Sequence, residues 1–161
     1  MSRKKVLITG GARGIGEALT RAFALSGYAV YIHCGKSVAE AEELCAELPE
    51  AYFLSADLAS PESVAAVARF CPDPDVLINN AGVSLTGLFD KITPAAAREM
   101  YEINLFAPVM LTRALLPAML SRSGGCIINI SSVFGESGGS CEVDYSAAKA
   151  GIIGFTKALA K

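Results

Sequence analysis

Hydrophobic residues along the chain fall into two alternating patterns. Short runs of β-branched and other apolar residues, such as Lys5-Val6-Leu7-Ile8-Thr9, are separated by longer stretches in which apolar positions recur at helical spacing. The short runs predict strands at residues 5–9, 29–33, 51–54, 75–79 and 125–130. The stretches between them predict helices over about 14–26, 37–48, 93–121 and 142–161, and one further helix that Ser60 and Pro61 open as N-cap and first residue.

The alternation of strands and helices predicts the architecture. A crossover from one strand through a helix to the next makes the strands parallel and covers both faces of the sheet. The predicted strands are almost entirely apolar, as expected for strands buried on both faces. We therefore expect an α/β protein with a doubly wound parallel sheet. The length of 161 residues favours a single domain over residues 1–161.

Composition and charge narrow the functional classes. Hydrophobic residues make up 52% of the chain and charged residues 19%, which argues against disorder. A net charge of −2 does not favour a phosphodiester backbone, so no nucleic-acid partner is expected. No apolar run approaches the roughly 20 residues of a membrane span, since the longest, at 105–120, contains Arg113 and two prolines. The start, Met1-Ser2-Arg3-Lys4-Lys5, precedes too short an apolar run for a signal peptide, and we expect a cytoplasmic protein without membrane contact.

The cysteines do not form a pattern of metal ligands. There are five of them, none in C-x-x-C spacing, and the chain contains one histidine. We expect neither a metal site nor disulfides, because scattered buried thiols are typical of a reducing compartment.

A glycine-rich segment joins the first strand to the first helix. Its sequence is Thr9-Gly10-Gly11-Ala12-Arg13-Gly14-Ile15-Gly16. Glycines allow a tight turn and a close approach of pyrophosphate, while the helix N-terminus offers unpaired N–H groups and the positive end of its dipole. A structural turn alone would explain Gly10 or Gly11 but not all four glycines. The segment predicts a dinucleotide site.

The end of the second strand bears on which dinucleotide binds. An NAD site carries an acidic residue here for the ribose 2′-hydroxyl, but this chain has His33-Cys34-Gly35-Lys36-Ser37. Lys36 and Arg13 could pair with a 2′-phosphate, which favours NADP(H), with NAD(H) as the alternative. Lys36 could also be a solvated loop lysine. We interpret His33 as a strand residue without a chemical role.

A second group of polar residues follows the fifth strand. Ser131 and Ser132 end the strand, and Tyr145 and Lys149 stand four positions apart on a predicted helix. Residues at this spacing share one helix face, so the ammonium can lie beside the phenol and favour its ionised form. A Tyr-x-x-x-Lys pair alone is common and carries little information.

The combination of motifs is far more informative than any one of them. The chain contains, in order, Thr9-Gly10-x-x-x-Gly14-x-Gly16, Asn79-Asn80-Ala81-Gly82, Asn104, Ser132 and Tyr145-x-x-x-Lys149. In this it resembles the short-chain dehydrogenase/reductase family, most closely the 3-oxoacyl-[acyl-carrier-protein] reductases. The resemblance implies a Rossmann-type sheet in the order 3-2-1-4-5. It also implies hydride transfer between NADP(H) and a small-molecule or carrier-bound carbonyl or secondary alcohol, and a homo-oligomer.

The resemblance also assigns catalytic roles. Tyr145 would protonate the carbonyl oxygen, and Lys149 would assist it and hold the nicotinamide ribose. Ser132 would hydrogen-bond the reacting oxygen. Asn104 would hold a water at the joint between two helical pieces. Each also has a structural explanation, as a helix-joint residue for Asn104 or a strand-end hydroxyl for Ser132.

A larger set would contact the cofactor. Asp57 would meet the adenine amino group, or could cap the following helix instead. The residues assigned to cofactor binding are Gly10, Arg13, Gly14, Ile15, Gly16, Lys36, Ser37, Asp57, Leu58, Asn80, Ala81, Gly82, Tyr145 and Lys149.

Two features leave alternatives open. The pattern 155–161 stops without a helix terminator, whereas family members add a sixth strand, a Pro-Gly turn, a lid and a seventh strand, so we expect a C-terminally truncated chain. A truncated nucleotide-binding module without turnover is therefore one alternative. The segment Ser140-Cys141-Glu142-Val143 faintly resembles a subgroup that reduces 5-aminopentanone-modified elongation factor P, which is another.

Overall fold

Five parallel strands form the centre of the protein. The structure is a computed structural model that describes residues 3–161, so Met1 and Ser2, which enter the signal-peptide argument, lie outside the described residues. The strands are β1 Lys5–Thr9, β2 Ala29–Cys34, β3 Ala51–Ser55, β4 Val76–Asn79 and β5 Cys126–Asn129. Their order is β3-β2-β1-β4-β5, which confirms the predicted doubly wound sheet. In register, Val6 of β1 pairs with Val30 on one side and Val76 on the other.

Helices cover both faces of the sheet. They are α1 Gly14–Leu25, α2 Val38–Glu47, α3 Pro61–Phe70, α4 Pro94–Tyr101, α5 Ala107–Ser121, α6 Phe134–Ser137 and α7 Val143–Leu159. The Ser60 hydroxyl accepts a hydrogen bond from the Ser63 N–H at 3.4 Å, so the predicted N-cap of α3 is confirmed. The four-residue α6 and a 3₁₀ turn at Phe89–Lys91 were not predicted, because elements this short have no measurable periodicity.

The core consists of two layers, one on each face. Alternate residues of β1 contribute to each, with Val6 and Ile8 packing towards α1 and α2, and Leu7 packing towards α3 and α5. This follows from the two-residue repeat of a strand. The loops at the carboxyl ends of the strands therefore start from a sheet that is packed on both faces.

The region 94–121 is a single helical run interrupted by a π-helical segment, Glu102–Phe106. Pro94–Ser121 spans 28 residues and contains an 18-residue window of mean hydropathy 1.5, long and apolar enough for a membrane span by length and composition. Our expectation that no apolar stretch approaches that length was therefore wrong, because it counted only 105–120. Leu111, Leu115 and Met119 are buried against the sheet, however, and a core helix meets the same criteria.

Candidate active site

The glycine-rich turn after β1 has the conformation that its glycines allow. Gly10 and Gly14 have positive φ angles of 63° and 55°, which are unfavourable for other residues. A Cβ atom on Gly16 would overlap the carbonyl oxygen of Gly10 and lie 2.7 Å from Asn80 Nδ2. The glycines therefore let α1 begin directly against the turn, with its N-terminus facing the strand ends.

Asn80 fastens this turn to the end of β4. Its side-chain amide donates to the carbonyl oxygens of Thr9 and Gly10 at 3.0 and 3.1 Å. The backbone N–H groups of Asn80 and Ala81 both donate to Thr9 Oγ1 at 3.0 Å. The chain leaves β1 and β4 towards opposite faces of the sheet, so a crevice opens between them and these bonds set its width.

A cleft of about 750 Å³ occupies this crevice. Loops after β1, β2, β3 and β4 all contribute to its walls. The cofactor residues expected from the sequence that line it are Gly10, Arg13, Ile15, Gly16, Lys36, Ser37, Asp57, Leu58, Asn80, Ala81 and Gly82. Gly14 belongs to the same turn but not to this lining, and neither do Tyr145 and Lys149.

The charged side chains around the cleft are unevenly distributed. Arg13 and Lys36 are exposed on its β1 and β2 side. Asp57 follows β3, and one of its carboxylate oxygens accepts a hydrogen bond from the Ala59 N–H at 3.0 Å. This bond closes a turn ahead of Ser60, which is the N-cap of α3, so Asp57 does not cap the helix itself. Ser37 precedes α2 but makes no side-chain capping bond.

Lys149 is a deeply buried ionisable group beside the cleft. It is 4% exposed, and Nζ donates to the carbonyl oxygen of Ile130 at 2.9 Å. Burial lowers the pKa of Lys149. Its Nζ lies 5.7 Å from the ring centroid of Tyr145, so the two residues share one face of α7 as their spacing predicts.

Gly82 connects this pair to the cleft. A Cβ atom at Gly82 would lie 3.5 Å from Lys149 Nζ and 2.7 Å from Asn104 Oδ1. The loop after β4 therefore lines the cleft on one side and contacts Lys149 and Asn104 on the other. A glycine is required for this close approach.

Asn104 lies in the π-helical segment between α4 and α5, at the joint expected from the sequence. Its amide nitrogen donates to the carbonyl oxygens of Val83 and Met100 at 2.8 and 2.9 Å, and its Oδ1 accepts from the Val83 N–H at 3.2 Å. The buried side chain thus satisfies backbone groups of both the β4 loop and the irregular helix.

The two serines after β5 have different partners. Ser131 Oγ donates to the carbonyl oxygen of Lys149 at 2.9 Å and fastens the strand end to α7. Ser132 Oγ accepts from the Phe134 N–H at 3.2 Å, which leaves its proton available to another acceptor.

Two residues near the site were not singled out for chemistry by their sequence pattern. His33 is 2% exposed, and its ring bonds to both Gly10 and Ala56. Glu142, three positions before Tyr145, accepts hydrogen bonds from Ser84 and Thr86 in the loop after β4. Neither contact leaves a signal in spacing or periodicity, because the partners are 23 and more than 50 residues away along the chain.

Other chemistries find little support in the part of the chain that the structure describes. Residues 3–161 contain no group of three His, Cys, Asp or Glu side chains that could hold a metal ion. All five cysteines have free thiols. Burial raises the pKa of the Cys71 thiol to about 12, which makes it a poor nucleophile.

A glycine-rich turn and a crevice between the middle strands are the features of a doubly wound nucleotide-binding fold, and a Tyr-Lys pair lies beside them on α7. A sequence profile of the short chain dehydrogenase family matches residues 4–161. The chain belongs to the short-chain dehydrogenase/reductase family.

Individual relatives agree with this assignment. The uncharacterized oxidoreductase YmfI of Bacillus subtilis (strain 168) is 36% identical over 164 residues, which cover 98% of this chain and 68% of the relative. A 3-oxoacyl-[acyl-carrier-protein] reductase of Synechocystis sp. (strain ATCC 27184 / PCC 6803 / Kazusa) is 35% identical over 169 residues, covering 100% and 68%. The chain thus spans about two thirds of the length of these relatives.

A solved structure extends the comparison to three dimensions. A metagenomic short-chain oxidoreductase in complex with NADP superimposes with a TM-score of 0.89 at 34% identity, covering 98% of this chain and 74% of that chain. The fold, including its sheet order, is therefore that of the family.

Proposed function

We propose that the protein is an NADP(H)-dependent carbonyl reductase of the 3-oxoacyl-[acyl-carrier-protein] reductase type. One observation carries the proposal: Lys149 and Asn104 both approach Gly82, which also lines the cleft. The groups suited to proton transfer therefore adjoin a space suited to a dinucleotide. A carrier-bound or small-molecule ketone is the proposed substrate, in line with the names of the relatives.

The cleft fits a dinucleotide at its glycine-rich turn. A Cβ atom at Gly14 would meet no atom within 4 Å, so the space above the start of α1 is open to a phosphate group. Gly10, Gly16 and Ile15 would surround the pyrophosphate, with Leu58 and Ala81 beside the adenosine and Asn80 holding the turn. Asp57 would accept a hydrogen bond from the adenine amino group. A bound nicotinamide dinucleotide supplies or accepts the hydride.

The preference for NADP(H) rests on charge. Arg13 and Lys36 flank the part of the cleft that follows β2, where an NAD site would have a carboxylate. Ser37 adds a hydroxyl there. Cationic side chains form charge-assisted bonds with a 2′-phosphate.

Substitution of Lys36 tests this preference. We expect Lys36→Ala to weaken NADPH binding about fivefold, or about 1 kcal/mol for an exposed charged contact, and to leave NADH binding unchanged. Titration of both dinucleotides at low salt measures the two affinities. Lys91→Ala, in the 3₁₀ turn Phe89–Lys91, is the control. Equal affinity of the unmodified protein for NADH and NADPH would refute the preference.

The proposed chemistry uses the hydroxyl of Tyr145 as the proton donor to the carbonyl oxygen. Lys149 would lend positive charge beside the Tyr145 oxygen during proton transfer and would bind the nicotinamide ribose. The Ser132 hydroxyl would donate to the same carbonyl oxygen and stabilise the charge that develops on it. Asn104, fixed by Val83 and Met100, would hold a water through which Lys149 exchanges protons with solvent.

Replacement of Tyr145 by phenylalanine tests the proton donor. We expect Tyr145→Phe to lower kcat by at least a hundredfold, with little change in NADPH affinity, because only the hydroxyl is removed. Tyr52→Phe, a half-exposed tyrosine on β3, is the matched control. The decrease of NADPH absorbance with a generic 3-oxo ester measures turnover. A Tyr145→Phe variant with most of the original activity would refute the assignment.

One observation favours a second type of substrate. The Glu142 carboxylate, three residues before Tyr145, is held by the hydroxyls of Ser84 and Thr86 at 2.6–2.9 Å. A fixed negative charge there suits a ketone that also carries an ammonium group, such as 5-aminopentanone-modified elongation factor P. Higher kcat/KM for an amino ketone than for a 3-oxo ester of equal length, lost in Glu142→Gln, would favour this alternative. Dinucleotide binding without turnover of either ketone would instead favour a nucleotide-binding module.

We also propose a single dinucleotide-binding domain that acts in the cytoplasm as a homo-oligomer. The apolar side chains of Phe106 and Met110 are half exposed on the π-helical segment and α5. Such a surface suits a second copy of the chain. Light scattering of the purified protein measures the oligomeric state.

A further inference from the structure

The single histidine of the chain lies under the glycine-rich turn, at the end of β2. Its ring is 2% exposed, although histidine is polar. The Gly10 N–H donates to Nδ1 at 3.3 Å, and Nε2 donates to the carbonyl oxygen of Ala56 at 3.0 Å. The ring therefore bridges the loop after β1 and the loop after β3, both of which line the cleft.

This bridge complements a backbone contact. The Gly11 N–H donates to the His33 carbonyl oxygen at 3.0 Å, so two successive N–H groups of the turn are satisfied by the same residue. Gly10 has a positive φ, and its N–H points into the protein, where water could not replace the lost partner without cost. On the opposite side, Asn80 holds the Gly10 carbonyl oxygen.

We infer that His33 is a positioning residue for dinucleotide binding. Its neutral ring, with Nδ1 as acceptor and Nε2 as donor, holds the glycine-rich turn and the loop after β3 at the spacing that the dinucleotide needs. The inference rests on the proposed function. It replaces the interpretation of His33 as a strand residue without a role.

The bridge depends on the protonation state of the ring. A protonated imidazole carries hydrogen on both nitrogens and cannot accept from Gly10. Burial lowers the pKa of His33, so the neutral form persists below pH 6.5 and the bridge is intact at neutral pH. The charged groups that line the same cleft are Arg13 in the turn, Lys36 after β2, Asp57 after β3 and Glu99 on α4. Asp57 acts on His33 in the opposite direction to burial but more weakly.

Two signs are possible for the effect of pH on affinity, and they separate this inference from a purely electrostatic role. If the ring positions the turn, protonation releases Gly10 and weakens binding. If the ring merely supplied charge, protonation would strengthen binding of the anionic dinucleotide.

The experiment compares the unmodified protein with His33→Asn and His33→Leu. Asparagine keeps one donor and one acceptor without a titratable group, whereas leucine keeps volume and removes both bonds. We expect NADPH to bind His33→Leu about tenfold more weakly, from the loss of two ordinary hydrogen bonds, and His33→Asn within about threefold of the unmodified protein. As pH falls and the His33 ring becomes protonated, the affinity of the unmodified protein divided by that of His33→Asn should fall; the ratio cancels the titration of the 2′-phosphate.

Nitrogen NMR keeps the test independent of the variants' folding. Because the chain has one histidine, its ring gives a single set of ¹⁵N resonances. We expect the spectrum of a ring protonated at Nε2, with the Gly10 amide shifting only when that ring titrates. A ring protonated at Nδ1 at neutral pH would overturn the inference, as would unchanged affinity in His33→Leu or an affinity ratio that rises as pH falls. Failure of the unmodified protein to bind any dinucleotide would overturn the proposed function and this inference together, while the NMR result would still report the bridge.

Discussion

Replacement of Gly16 by alanine should be costly even though Gly16 lies in a helix, where alanine is normally preferred. The residue occupies the first turn of α1 and is buried. Its missing side chain leaves room for the carbonyl group of Gly10 and for the Asn80 amide. Both neighbours belong to the network that joins β1 to β4, and the nearest is a backbone atom that cannot rotate away.

The expected magnitude follows from two opposing terms. Overpacking in a tight interior costs about 1–3 kcal/mol, and we take the upper value of about 3 because the clash is with backbone. Alanine in a helix interior gains up to about 1 kcal/mol over glycine. The net loss for Gly16→Ala is about 2 kcal/mol, which lowers Tm by about 4–8 °C for a chain of this size.

Gly154 provides the matched control. It lies in α7, is exposed, and a Cβ atom there would meet nothing within 4 Å. Gly154→Ala should therefore raise Tm by about 2–4 °C through helix propensity alone. Thermal melts followed by circular dichroism measure both variants. If Gly16→Ala melts at or above the unmodified temperature while Gly154→Ala behaves as expected, the close approach of Gly16 to Gly10 is not a constraint and the description of the turn is wrong.

Two further predictions concern surfaces and thiols. Iodoacetamide at pH 8 should modify the exposed Cys126 at least a hundredfold faster than the fully buried Cys71, because burial raises the pKa of the Cys71 thiol to about 12. Mass spectrometry of timed digests measures the two rates, and equal labelling would contradict the burial of Cys71. A polypeptide of residues 1–161 alone should self-associate along β5, because the second edge of β5 pairs with no strand within residues 3–161; Ile128→Lys should reduce this association, whereas Leu25→Lys should not. Light scattering that finds monomers for the unmodified polypeptide and for both variants would refute the prediction.

Much of the fold could be predicted because its signals are local. The apolar runs gave every strand to within one or two residues, since each strand is a short, mostly apolar run and the three central strands β1, β2 and β4 are buried on both faces. Ser60 and Pro61 predicted the start of α3 because a helix cap is also a local signal. The prediction of the long helix at 93–121 missed only the π-helical segment, whose extra residue per turn leaves no trace in apolar spacing.

The sheet order and the site residues required the family resemblance. No local pattern indicates that β4 lies beside β1, and the Asn79-Asn80-Ala81-Gly82 segment has no periodicity of its own. The structure supplies the physical reason, because Asn80 bonds to residues about 70 positions earlier. Neither local patterns nor the family resemblance assigned a role to His33, because it lies within a run of residues typical of a strand. The proposed role rests on its burial and its two ring contacts.

The contacts of Asn80, His33 and Gly16 meet at one residue, Gly10. Asn80 holds the carbonyl oxygen of Gly10 from the β4 side, and His33 holds its N–H from the β2 side. Gly16 leaves the space in which that carbonyl group lies. Since all three act on the same turn, substitutions at any two of them should not be additive in their effect on dinucleotide affinity: once the turn is released on one side, the second contact can no longer position it. Substitution of His33 should therefore change dinucleotide affinity through its contact with a single glycine.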